Sequence, residues 1–170
     1  MRPASPSDDE FLLHVYVSTR LEEMASWGWS PAQQSTFIRM QFAARRRSYV
    51  TAYPSAEHNV ILFGDVPAGS IIIFRGPTEV RLLDIALLPE FRGRGIARNL
   101  IGMLISEAAR SESPVRLSVL RGNPAELLYE RLGFIAKGGD QMYTEMECLP
   151  AGAVDAAKKT QESIHAGKSE

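Results

Sequence analysis

The chain of 170 residues is 45% hydrophobic and carries a net charge of −1, which suits one domain over residues 1–149 around a single core. With a pI near 6.3 it has no global attraction for nucleic acid or an acidic membrane, and its single cysteine, Cys148, excludes an intrachain disulfide framework. His14, His58 and His165 are too scattered for metal-ligand spacing, and no run of roughly 18 apolar residues or signal peptide interrupts the pattern, so a soluble cytoplasmic protein without a metal is expected.

Asp8 or Ser7 is placed to cap a first helix whose apolar residues Phe11, Leu12, Val15, Val17, Leu21 and Met24 follow a helical stripe as far as Trp27 and Trp29. Ser30 and Pro31 make an N-cap and first-turn pair for a second helix running to about Tyr49. Val60 to Phe63 and Ser70 to Phe74 read as strands joined through Gly64, Asp65 and Pro67, and Gly76 with Pro77 turns into a strand from Val80. Beyond it come a helix from Ile96, a strand over Val115 to Leu120, and a short helix from Asn123 to Gly133. Phe134 to Ala136 and Met142 to Cys148 close an antiparallel pair, and the polar tail 150–170 has too little apolar content to offset its ordering entropy and is expected to be disordered. The order describes an α+β fold with a mixed sheet flanked by helices.

The segment VRLLDIALLPEFRGRGIA, residues 80–97, carries most of the chemistry. Ile85, Ala86, Leu87 and Leu88 read as a strand end buried on both faces, Pro89 stops ladder pairing, and Gly93 and Gly95 permit positive φ. Ile96, Leu100, Leu104 and Ala108 then recur at helical spacing, so the loop opens a helix N-terminus, where unpaired amides and the macrodipole favour phosphate. Arg92, Arg94 and Arg98 add positive charge. A dinucleotide fingerprint from Gly93 fails at Arg98, and the lysine-bearing phosphate loop of nucleotide hydrolases has no match.

This loop resembles the acyl-CoA loop [QR]-x-x-G-x-[GA] of the GCN5-related N-acetyltransferase (GNAT) superfamily, with Arg92, Gly95 and Ala97 in its constrained positions. A second block, RGNPAELLYERLGF at 121–134, is similar to the family's downstream Asn, Tyr and Gly-Phe segment. The resemblance implies a mostly antiparallel sheet flanked by helices, although Met1 to Pro3 leave almost no room for the usual first strand. It also implies acetyl-CoA as cosubstrate, held by Leu87, Leu88, Arg92, Gly93, Arg94, Gly95, Ile96, Ala97 and Asn123. Free main-chain groups at Leu87 and Leu88 would pair with the pantetheine arm or hold the thioester oxygen.

Two residues are candidates for the chemistry. Tyr129 would act as general acid to the departing thiolate under the resemblance, against a plain reading as a core tyrosine. Asp84, the carboxylate nearest the motif, is the candidate base, with Glu79 behind it. Asn123, Pro124 and Glu126 also spell a helix cap, which alone could account for Asn123. The run Arg45, Arg46, Arg47 reads as a solvated helix end or, alternatively, a contact to the acceptor or an outer phosphate, and Glu22 and Glu23 as helix surface or a pocket for a cationic amine. The expected reaction is acetyl transfer to a primary amine of a small molecule or peptide by direct attack in a ternary complex. The rival is a non-catalytic acyl-CoA sensor; no nucleic acid or membrane partner is expected, and a homodimer is open.

Overall fold

The computed structural model describes residues 1–26 and 28–150. Trp27, the side chain of Glu22 and residues 151–170 of the tail lie outside the described residues. The chain divides into two compact units, one made of Met1–Arg75 and Leu82–Ala97, the other of Gly76–Arg81 and the chain from Arg98. Seven strands follow the order β1-β2-β3-β4-β5-β7-β6, a mostly antiparallel sheet with flanking helices.

The first unit contains β1 (Arg2–Pro3), α1 (Asp9–Ser18), α2 (Leu21–Ala25), α3 (Pro31–Ala52), β2 (Glu57–Phe63), β3 (Val66–Arg75) and most of β4 (Val80–Leu87). Two residues suffice for the first strand: Arg2 and Pro3 pair with Val60 and Asn59, and the Ala4 N–H donates to His58 O at 2.9 Å. The helix start also differs from the sequence expectation. Asp8 does not cap α1, because its carboxylate turns back to accept from Arg2 at 2.6 and 2.8 Å and from the Ser5 N–H and hydroxyl at 2.8 Å each. Arg2 and Ser5 hold that carboxyl well below the usual carboxylate range.

The single long first helix expected from the apolar stripe is split at Ser18 to Arg20. There the Ser18 and Thr19 hydroxyls donate to Val15 O and Tyr16 O at 2.7 Å, and side chains of this kind compete with the helical ladder. Tyr16, Met24 and Ile38 form a small core with Val17 and Phe42. α3 is capped as expected, with Ser30 accepting from the Gln33 N–H, and runs on to Ala52. The arginine run therefore lies inside the helix, before its last turn.

In the second unit, α4 (Ile96–Arg110) turns Ile101, Leu104 and Ala108 inward, and Val115, Leu117 and Val119 do the same from β5 (Val115–Leu120). α5 (Ala125–Arg131) ends at Gly133, where φ is 90°. The Gly133 N–H donates to Glu130 O and that of Phe134 to Tyr129 O, both at 3.0 Å, closing a glycine C-cap. β6 (Ile135–Gly139) and β7 (Tyr143–Cys148) form the expected pair, with Cys148 buried and its thiol pushed up by that burial.

Candidate active site

The end of β4 is built by its neighbour. β3 carries a bulge, because Gly69 pairs with Ile61 and Pro67 with Leu62, leaving Ala68 as the extra residue. The freed Ala68 carbonyl accepts the Leu88 N–H at 2.9 Å. Gly69 faces β4 so closely that a Cβ there would lie 2.1 Å from Ala86 O and 2.9 Å from a Leu87 methyl. Only glycine permits this approach.

Two expectations about this strand end are corrected. Ile85, Ala86 and Leu87 are half-exposed, not buried on both faces, while Leu88 is buried. An apolar strand end therefore lies partly uncovered. The main chain at Leu88 is also not free: its N–H is held by Ala68, and the Leu87 carbonyl accepts from Arg92 Nε at 2.8 Å.

After a turn at Pro89–Phe91, the loop reaches Gly93 with φ of 72° and Gly95 with φ of 76°, and α4 starts at Ile96. Nothing lies within 4 Å of where a Cβ on either glycine would sit, so the loop opens on free space, and no acid stands in the first turn of α4. Backbone amides with positive-φ glycines at a helix start form a phosphate-sized concavity. The loop arginines are less loose than their sequence suggests. Arg92 reaches inward to Leu87 O and, at 3.2 and 3.3 Å, to the carbonyl and hydroxyl of Ser18 at the end of α1. Arg94 lies over the Phe63 and Phe91 rings at 5.4 and 5.8 Å from their centroids, which ties the loop to the end of β2.

Asp84 is not alone on β4. Arg45 Nη2 donates to its Oδ1 at 2.8 Å, Arg45 Nε donates to the Tyr49 hydroxyl at 3.1 Å, and that hydroxyl donates to Leu83 O at 3.1 Å. Arg45 stacks 5.5 Å from the Tyr49 ring centroid and 5.7 Å from that of Tyr16, and Arg20 lies 5.6 Å from Tyr16. The arginine run thus divides by role: Arg45 points into the unit, Arg46 pairs with Asp9 at 2.7 Å, and Arg47 is exposed. Burial raises the Asp84 carboxyl above its ordinary value, with Arg45 and the Ile85 N–H opposing. Glu79 pairs with Arg116 at 2.8 Å and with Arg81 in the second unit.

In the second unit, Asn123 Oδ1 accepts the Ala125 N–H at 2.9 Å and its carbonyl accepts that of Glu126 at 2.9 Å, so its oxygen caps α5. Glu126 reaches back to the Gly122 N–H at 3.3 Å and accepts from the Thr144 hydroxyl. Tyr129 is buried at 8% exposure, its ring 5.8 Å from Phe134 in an edge-on contact. The structure thus gathers Asp84 and the Leu87 to Ala97 residues in one unit, with Asn123 and Tyr129 in the other. Tyr16, Arg20 and Phe63 carry no sequence signal as neighbours of the site, whereas Arg45 is the member of the basic run that reaches it, beside Tyr49. Tyr16 with Arg20 and Arg45 with Tyr49 are each four residues apart, but no spacing joins those two pairs to each other, to Phe63 or to Asp84.

A GNAT acetyltransferase domain model matches residues 54–136, spanning β4 and both loop glycines. Over those residues the chain carries a GNAT acetyltransferase domain. Among solved structures, it is similar to the PaiA N-acetyltransferase of Thermoplasma acidophilum in complex with coenzyme A, at 19% identity and a TM-score of 0.65 over 87% of this chain and 96% of that one. A histone acetyltransferase HPA2-related protein of Corynebacterium glutamicum matches at 20% identity and 0.62, covering 88% and 94%. A spermidine N-acetyltransferase SpeG chimera from Vibrio cholerae and hSSAT matches at 17% and 0.58, covering 90% and 98%. At these identities the likeness shows the fold. No curated protein sequence matches.

Proposed function

We propose that the protein transfers the acetyl group of acetyl-CoA to a primary amine by direct attack in a ternary complex. The observation that carries this reading is the loop. Gly93 and Gly95 hold left-handed conformations at the start of α4 with open space before them, a cradle in which backbone amides receive a pyrophosphate. Acetyl-CoA supplies an activated thioester; the residues of this chain bind it and move protons. Arg92, Arg94, Ile96 and Ala97 frame the pyrophosphate with the two glycines, and Asn123 lends its amide. The half-exposed apolar end of β4 up to Leu87, with Leu88 buried beyond it, supports the pantetheine arm, which brings the thioester back along the strand toward Asp84.

An amine arrives as an ammonium and must lose a proton before its nitrogen attacks. Asp84 takes that proton, and its raised pKa suits the task. As the C–N bond forms the nitrogen gives up its second proton to water, and as the C–S bond breaks the thiolate accepts a proton from the Tyr129 hydroxyl, which water restores, so that one proton is released per turnover. The test is release of free thiol from acetyl-CoA with and without a panel of amines. Amine-dependent release with an N-acetylated product supports the enzyme, whereas tight acetyl-CoA binding with no release on any amine supports the sensor reading.

A further inference from the structure

Building on that reading, we infer that the acceptor amine carries a carboxylate close to its nitrogen, as an α-amino acid does, with Arg45 and Arg20 binding the carboxylate while Asp84 receives the ammonium. Three observations within the first unit carry this.

Arg45 is fixed before any ligand arrives. Two tyrosine rings flank it, its Nε is held by the Tyr49 hydroxyl and one Nη2 hydrogen by Asp84. The remaining guanidinium hydrogens meet no acceptor among the described residues. A planar, immobilised fork with unused donors matches a carboxylate and loses little entropy on binding it.

Arg20 brings a second guanidinium to the same Tyr16 ring. Its carboxylate partner, Glu23 at 2.8 Å, is a half-exposed i,i+3 neighbour, so that pair is only weakly coupled through water. Two cations held against one ring repel each other, and an anion between them relieves that repulsion.

Asp84 completes the pattern from the strand side. A carboxylate has about four lone-pair sites, and Arg45 at 2.8 Å with the Ile85 N–H leaves acceptor capacity for an ammonium. A carboxylate and a preorganised guanidinium in direct contact present the two charges of a zwitterion in mirror order. A polyamine, by contrast, would bring its extra positive charges against two arginines.

The experiment pairs each amino acid with its decarboxylated counterpart: phenylalanine with phenethylamine and lysine with cadaverine, with spermidine as a polycation. Each is titrated by calorimetry into the full-length protein saturated with CoA, and each is assayed for acetyl transfer. The amino acid is expected to bind roughly tenfold or more tightly than its amine in at least one pair, a difference of the size one charge-assisted contact supplies. Arg45→Met should collapse that ratio while acetyl-CoA affinity stays unchanged, and Arg45→Lys should restore part of it. Equal binding within both pairs, preference for phenethylamine, cadaverine or spermidine, no binding of any probe, or an unchanged ratio in a folded Arg45→Met protein would each overturn the inference. Transfer to the decarboxylated amines would leave the acetyltransferase reading standing; failure of the wild-type protein to bind acetyl-CoA would remove that reading itself.

Discussion

The glycine loop and the Asp84 cluster belong to the same unit but are built from different material. The loop at residues 92–97 is made by backbone: two positive φ values, a helix start and glycines with open space where a Cβ would sit. The cluster is made by side chains from α1, α3 and β4, with Arg20 joining from the turn before α2. Backbone geometry suits a cosubstrate whose phosphates do not vary, whereas a side-chain constellation can change with the acceptor while the loop stays fixed. One region is therefore expected to control cosubstrate affinity and the other acceptor choice, and substitutions can break or sharpen that division.

The largest effect is expected at neither region. Tyr129→Phe keeps the buried ring against Phe134 and removes only the hydroxyl. If the phenol protonates the thiolate, kcat falls by roughly 10² to 10⁴ with acetyl-CoA affinity unchanged. Single-turnover kinetics checks this, and an unchanged chemical step would return Tyr129 to a packing role.

Next is Gly69→Ala, which touches no ligand yet places a Cβ 2.1 Å from Ala86 O. β4 must shift, at a cost of about 1–3 kcal/mol in stability. Urea unfolding should show it, together with weaker acetyl-CoA binding, because the loop hangs from that strand.

Arg92→Ala separates charge from structure. Because the guanidinium serves Leu87 O and Ser18, its loss should lower stability by about 1 kcal/mol. Acetyl-CoA binding should weaken modestly, and more at low salt than at high salt. A binding defect without any stability change would mean that the carbonyl contacts contribute nothing.

The smallest expected effect is on pH dependence. Burial raises the Asp84 carboxyl and Arg45 opposes it. As a base, Asp84 works ionised, so kcat/KM should fall as pH drops through a value above the ordinary carboxylate range. Arg45→Met removes the opposing charge and should move that acid limb upward. In stability the sign is reversed: a raised folded-state pKa favours the protein at acid pH, and this contribution is lost as pH rises through that pKa. An acid limb that stays in place in the variant would detach Asp84 from the rate.

The loop could be read from the sequence because its signal is local: Pro89, Gly93, Gly95 and the helical spacing from Ile96 lie within a few residues of one another. β5 was legible for a similar reason, its apolar alternation matching Val115–Leu120 to the residue. The break between α1 and α2 was hidden because the apolar stripe continues across it while two hydroxyls end the helix. The Arg45 to Asp84 contact joins residues 39 apart, and a basic run gives no sign of which arginine turns inward. The uncovered end of β4 was hidden as well, since an apolar run looks the same whether protein or ligand covers it.

Titration of acetyl-CoA into wild-type and Gly95→Val protein, with folding checked by circular dichroism, addresses the loop most directly. Valine at a φ of 76° is strained and puts a branched side chain into the space before the amides. Affinity should fall by about a hundredfold, the size expected from losing two such charge-assisted contacts. A folded Gly95→Val protein that binds acetyl-CoA as tightly as wild type would mean that the pyrophosphate lies elsewhere.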